Sequence, residues 1–241
     1  MSLDLSERQR AMLGEMGIRV FDAPRAPEPD AAPRAPVLRP APVAAAPTGA
    51  LAPPAAGSAV ADLGWDALSQ SALAIGDGAR VVFGSGDLQP HWLVVGEAPQ
   101  EPEEREGQPF LGDAGTLLDN MLKAVGLARG NKVYLTSLVK CRPAGNGVPS
   151  ADDLARWEPV LRRQVELLKP RVIVAMGRFT VPALLGTNEP MGKLRGQRHE
   201  YAGVPMVVTY HPAYLLRNLS DKGKAWADLC LALEIARGQL D

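Results

Sequence analysis

The sequence predicts an α/β fold of three layers, αβα, around a mostly parallel four-stranded central sheet, with a Pro/Ala-rich linker in front. Three observations predict it. Short runs of β-branched and apolar residues at 92–95, 133–135, 171–176 and 205–209 have the length and near-continuous apolarity of strands buried on both faces. Segments with apolar residues at helical spacing stand between them, and such alternation implies right-handed crossovers and a sheet covered on both sides. The composition changes abruptly near residue 60, where a proline-rich stretch gives way to the alternating pattern.

Residues 5–16 read as a short amphipathic helix with Ser6 as N-cap and Leu5, Met12, Leu13 and Met16 on one face. It stops at Gly17, and Ile18 to Phe21 follow as an apolar tag, so 1–21 is expected to be a helical docking peptide. Ten prolines fall between Pro24 and Pro54 with alanines in most gaps, which predicts a disordered, extended, semi-stiff spacer over 22–60. The folded domain is expected over 61–241. Within it, 65–75 reads as a helix and 80–83 as a strand or its lead-in, closed by a turn at 84–87. After the strand at 92–95, Gly96-Glu97-Ala98-Pro99 ends the run, and an acidic loop carries Glu101, Glu103, Glu104 and Glu106. A helix over 113–125 ends at Gly126. The strand at 133–135 runs into Thr136 and Ser137. Ser150 caps a helix over 150–168 whose first turn is acidic. The strand at 171–176 ends at Gly177, a short helix over 178–185 tolerates Pro182 in its first turn, and the strand at 205–209 ends at Tyr210-His211-Pro212. A last helix covers 222–237.

Composition narrows the function. A net charge of −1 argues against a bulk electrostatic grip on nucleic acid but leaves room for a local patch. No run reaches transmembrane length, so no membrane partner and a cytoplasmic location are expected. Cys141 and Cys230 fit a reducing compartment, and His91, His199 and His211 show no metal-ligand spacing, so no protein-built metal site is expected.

The residues just past the four strand ends are Glu97, Ser137, Gly177 and His211. Ligands of open α/β sheets bind outside such carboxyl ends, so these four predict a site along one rim. There is no GxxxxGK[ST], no GxGxxG after a strand, and the acidic loop would repel phosphate. A Ser137–His211 triad lacks the GxSxG elbow.

The segments GEAP (96–99), GQPFLGDAGTLLDNML (107–122), VYLTSLVKCRP (133–143), KPRVIVAMGRF (169–179), LRG (194–196) and TYHPAYLLRN (209–218) resemble the uracil-DNA glycosylase superfamily, nearest to its type 4, iron–sulfur enzymes. The resemblance covers about residues 80–237. It implies that a flipped base stacks on Phe110 and that Glu97 positions the attacking water. His211 would donate to charge on the departing base, with Gly96, Gln100 and Ser137 in the base-binding pocket. Tyr214 and Leu215 would occupy the wedge, while Lys193, Arg195, Arg198 and Arg217 would hold phosphates.

Three departures from the family stand out. Of the four cysteines expected to ligate a cluster, Cys141 matches one position, Trp157 falls near another, and the pair expected within 68–80 is absent. The expectation is therefore no cofactor, with the iron–sulfur cluster lost. Ser137 stands where the family has asparagine, whose amide both donates and accepts. Gln100 replaces the glycine expected after GEAP, adding a side chain where backbone and substrate should approach. Two functional readings follow. One is a divergent, cluster-free uracil-DNA glycosylase acting on DNA. The other is a weak or inactive accessory protein, because residues 12–21, MLGEMGIRVF, resemble the peptide that opens the psi subunit of the DNA polymerase III clamp loader. Leu13, Met16, Ile18 and Phe21 would then bind that partner.

Overall fold

The computed structural model describes residues 60–143 and 148–238. The expected docking peptide with Leu13, Met16, Ile18 and Phe21, and the linker up to residue 59, lie outside the described residues. The elements run α1 (Trp65–Ile75), β1 (Ser85–Gly86), β2 (Trp92–Gly96), α2 (Glu101–Glu106), α3 (Gly112–Ala124), β3 (Val133–Ser137), α4 (Ala151–Leu168) and β4 (Val172–Met176). They continue with α5 (Thr180–Leu185), α6 (Met191–Leu194), β5 (Arg198–Tyr201), β6 (Val204–Thr209), α7 (Pro212–Arg217) and α8 (Lys222–Ala236).

The sheet has six strands in the order β1-β3-β2-β4-β6-β5. The four expected strands form its parallel centre. Two short antiparallel strands extend the edges, β1 on β3 and β5 on β6, so the sheet is mixed rather than four-stranded. Both additions escape a hydrophobicity pattern. β1 is two residues long, and β5 is the polar, largely exposed sequence RHEY. β5 exists because Ala202 and Gly203 turn the chain with positive φ of 50° and 78°, the geometry of a tight hairpin turn. The stretch 80–83 forms no strand and instead leads into β1, which stands inside the expected turn at 84–87; the Val82 N–H donates to the Lys140 carbonyl at 2.7 Å. The acidic loop after Glu97 is also corrected, because 101–106 is a helix.

Alternation along the strands builds two cores. Leu93, Val95, Ile173 and Val208 face α1, α4 and α5 with Leu68, Trp157 and Val181. Val94, Val174 and Val207 face the other way, onto Leu118 of α3 and Leu229 of α8. These are the three expected layers. The chain leaves β2 for β3 on one side and returns to β4 on the other, so the topological switch lies between β2 and β4. A ligand crevice is expected at that point.

Candidate active site at the carboxyl rim

Registry brings the rim residues level. Gly96 pairs with Ser137, and Met176 pairs with Thr209, so Glu97, Ser137, Gly177 and His211 emerge side by side. A cavity of about 270 Å³ opens there, lined by Gly96, Glu97, Gln100, Phe110, Ser137 and His211 among others. A second cavity of about 400 Å³ shares Glu97, His211 and Arg217 with it and is walled by Arg178, Tyr210 and Tyr214. The two form one cleft with the carboxylate and the imidazole at the junction.

Glu97 is held from the switch point. The backbone N–H of Phe179 donates to its Oε1 at 3.1 Å. Gly177 makes this approach possible: its φ is 116°, and a Cβ there would lie 2.5 Å from Glu97 Oε1 and 2.6 Å from Cδ. Burial pushes the Glu97 carboxyl above its usual range, opposed by the N–H groups of Phe179 and Arg178.

Phe110 is 3% exposed and sits at φ 57°, a conformation that costs a non-glycine residue about 1–3 kcal/mol unless its surroundings impose it. Here they do. Arg129 donates to the Pro109 carbonyl at 3.0 Å and to the Phe110 carbonyl at 2.5 Å, while its Nε pairs with Asp119. Gly96 leaves room for the ring, since a Cβ at 96 would come 2.6 Å from Phe110 Cζ. The Glu103 carboxylate closes the loop by accepting the N–H of Gln100 at 2.5 Å and that of Leu111 at 3.2 Å. Gln100 itself has φ −92° and ψ 169°, extended backbone that needs no glycine. Arg129 and Glu103 were missed in the sequence, where each reads as an ordinary surface charge.

His211 caps α7. Its Nδ1 accepts the Ala213 N–H at 3.2 Å, so in the neutral imidazole the proton resides on Nε2. Burial, with Arg217 adding to it, holds the ring's pKa down to about 4. The ring faces Phe110 with centroids 5.5 Å apart and planes 20° from parallel. Ser137, 5% exposed, lies across the cavity. Behind it Lys140 is fully buried and donates to Thr136 Oγ1, the Ser137 carbonyl and Gln164 Oε1, each at 2.6 Å. Burial pushes this amine well below the usual lysine range. The three acceptors satisfy all three donors of an ammonium and pin the exit of β3 to α4. The sequence carried no signal for this anchor, because lysine at a strand exit ordinarily faces water.

The expected phosphate and wedge residues divide. Lys193, Arg198 and Arg217 are exposed, and Arg217 lines both cavities. Arg195 does not fit the expectation of a phosphate contact: its side chain is only 10% exposed and is ion-paired to Asp228 at 2.7 Å. Leu215 does not fit as a wedge, being 1% exposed, whereas Leu216 beside it is 40% exposed. Helical rotation turns one leucine inward and the next outward, which spacing alone did not resolve. Tyr214 is half-buried in the wall of the second cavity, and Arg178, which no motif marks as a phosphate contact, is an exposed cation in the same wall.

At the expected cluster position, Cys141 is half-buried, with its thiol raised by burial and by the Asp153 carboxylate. Trp157 is 1% exposed with its indole N–H buried and without a hydrogen-bond partner. An indole N–H is a donor with no lone pair for a metal. A cluster needs four thiolates or close substitutes, and of the two cysteines in the sequence one, Cys141, stands at an expected ligand position, so the donors at this place do not fit an iron–sulfur cluster. Among the described residues no group of three or more His, Cys, Asp or Glu could hold a metal ion. No helix of the described residues is long and apolar enough to cross a membrane.

A carboxylate, a histidine and an aromatic face thus meet in one cleft at the switch point of a three-layer α/β fold. The family model of the uracil DNA glycosylase superfamily matches residues 83–230, and the chain belongs to that superfamily. It is 36% identical over 160 residues to the type-4 uracil-DNA glycosylase of Pyrobaculum aerophilum, covering 63% of this chain and 81% of the relative. It is 39% identical over 145 residues to the type-4 uracil-DNA glycosylase of Thermotoga maritima, covering 59% and 75%. A type-5 uracil-DNA glycosylase of Pyrobaculum aerophilum is 34% identical over 149 residues, covering 54% and 64%.

Proposed function

We propose that the protein removes uracil from DNA by hydrolysing the N-glycosidic bond, in a pocket that works without an iron–sulfur cluster. The observation that carries this reading is a histidine whose Nδ1 accepts a backbone N–H, leaving Nε2 to donate, and a half-buried carboxylate lining the same cavity of about 270 Å³ floored by Phe110. The bond from C1′ to the base breaks with its electron pair leaving on the uracil ring. His211 Nε2–H donates to the carbonyl oxygen where that charge collects. A neutral donor suits the role because it stabilises the anion without needing a proton from solvent, and a preorganised donor of this kind is worth about 10²–10³ in rate. Glu97, fixed by the Phe179 N–H, orients the water whose oxygen bonds to C1′, and the proton that this water releases ends on the departed uracil anion, which leaves a C1′ hydroxyl and neutral uracil. Phe110 stacks on the flipped base, Gly96 keeps that ring in place, and Ser137 meets the base edge with one hydroxyl. Gln100 forms part of the same wall. Arg217, Arg178, Lys193 and Arg198 supply the cations for flanking phosphates, and Leu216 replaces Leu215 as the side chain available to fill the vacated stack.

The relatives' activities support this reading over an inactive subunit of the clamp loader, which draws on residues 12–21 alone. The test is incubation of the full chain with a single-stranded uracil oligonucleotide, followed by alkali. Cleavage well above that of a His211→Ala variant is expected. Equal cleavage by the two proteins, or none, would remove the glycosylase reading.

A further inference from the structure

Arg195 reads as a DNA contact in the sequence, yet its surroundings assign it another task. Its Nε and Nη2 lie 2.8 Å and 2.7 Å from one oxygen of Asp228, a residue only 1% exposed on α8. The guanidinium plane lies over the Tyr210 ring, 4.4 Å from its centroid. Tyr214 also stacks with Tyr210, at 4.8 Å and 26°. Tyr214 is tied down in turn, its O–H donating to Asp221 at 2.7 Å, with Lys224 pairing to Asp221 at 2.8 Å. Tyr210 directly precedes His211, so whatever holds this ring sets where the imidazole leaves β6.

We infer that the buried Arg195–Asp228 pair is a positioning device: it clamps Tyr210 against Tyr214 and thereby fixes His211 at the cleft, and it does not bind phosphate. The inference rests on the proposed role of His211, but its geometry can be read without any reaction. A planar guanidinium is suited to this task because it can pair along its edge and stack on its face at once, which an ammonium cannot. Asp228 cannot reach DNA from within the core, so it separates the two roles of Arg195. If Arg195 positions, loss of either partner has one phenotype. If Arg195 grips a phosphate, only its own loss weakens DNA binding.

The experiment uses the full chain as Arg195→Met, Arg195→Lys and Asp228→Asn, with His91, at the opposite end of β2, as internal reference. The His211 ring is titrated by NMR, and binding to a uracil-free oligonucleotide is measured across a salt series. The His211 midpoint is expected to move from about 4 toward its ordinary 6.5 by a pH unit or more in Arg195→Met and Asp228→Asn as the loop loosens and water enters. Arg195→Lys, which keeps the charge but loses the stack, gives a smaller shift and guards against a misfolded methionine variant. The slope of log K against log salt is expected to stay as in the wild type in all three. An unchanged His211 midpoint overturns the inference, as does a slope shallower by about 1 in Arg195→Met alone. Uracil excision is followed in parallel. A wild type without excision defeats the glycosylase reading, while the titration still decides the clamp.

Discussion

Gly177→Ala is the most informative single change, because it tests how the switch point holds the carboxylate. Position 177 has φ 116°, where an alanine is strained by about 1–3 kcal/mol. The new Cβ would also stand 2.5 Å from Glu97 Oε1 and 2.6 Å from Cδ. Ordinary contact needs about 3.4 Å or more, so the carboxylate must retreat by roughly an ångström and release the Phe179 N–H now at 3.1 Å. A hydrogen bond to a charged group is worth about 1.5–3 kcal/mol. The two costs overlap, and the expected loss of unfolding free energy is about 2–4 kcal/mol. In a domain of this size that lowers Tm by about 5–15 °C. A misplacement of this order in a reacting group costs about 10²-fold in rate. Single-turnover excision from a uracil oligonucleotide and a thermal melt measure the two effects. Gly203→Ala is the control: its φ is 78° but nothing lies within 4 Å of its Cβ position, so it carries the backbone strain alone. Excision by Gly177→Ala within a few-fold of Gly203→Ala would refute the claim that Gly177 exists to seat Glu97.

Three further outcomes are expected. His211 has a folded pKa of about 4 against an ordinary 6.5, so the unfolded chain takes the proton first. Stability contributed by the neutral ring is complete above about pH 6.5 and is lost as pH falls toward 4, by up to roughly 3 kcal/mol. Urea unfolding at pH 7 and pH 4.5 should show this loss in the wild type, and a smaller one in His211→Asn. Cys141→Ser should leave Tm within about 2 °C, and the purified wild type should show no iron–sulfur absorbance near 400 nm; iron in stoichiometric amount would contradict the cluster-free reading. Leu215→Ala should cost about 2–4 kcal/mol through its buried side chain. Leu216→Ala should leave unfolding nearly unchanged and lower excision more from duplex than from single strands, which equal losses on both substrates would contradict.

The layered α/β fold is legible in the sequence, because continuous apolar runs such as 92–95 and 172–176 admit few placements other than buried parallel strands. It also determined which residues stand at the rim, since a strand's exit is read from where apolarity stops, as at Glu97 and His211. It missed the edge strand at 198–201, whose polar residues obey no burial pattern and which forms through a hairpin turn and a neighbour's free hydrogen bonds. What anchors each rim residue emerges from contacts between elements distant in the chain. Gly177 and Glu97 are 80 residues apart, Phe110 and its clamp Arg129 are 19 apart, and no local pattern reports such contacts. The same holds for charge. Arg195, Lys140 and Arg217 are all basic residues in motif segments, yet one is paired in the core, one is fully buried behind Ser137, and one faces the cleft. A cation's role depends on which carboxylates, carbonyls or water surround it, and that is set by packing between elements, where the one-dimensional sequence is silent.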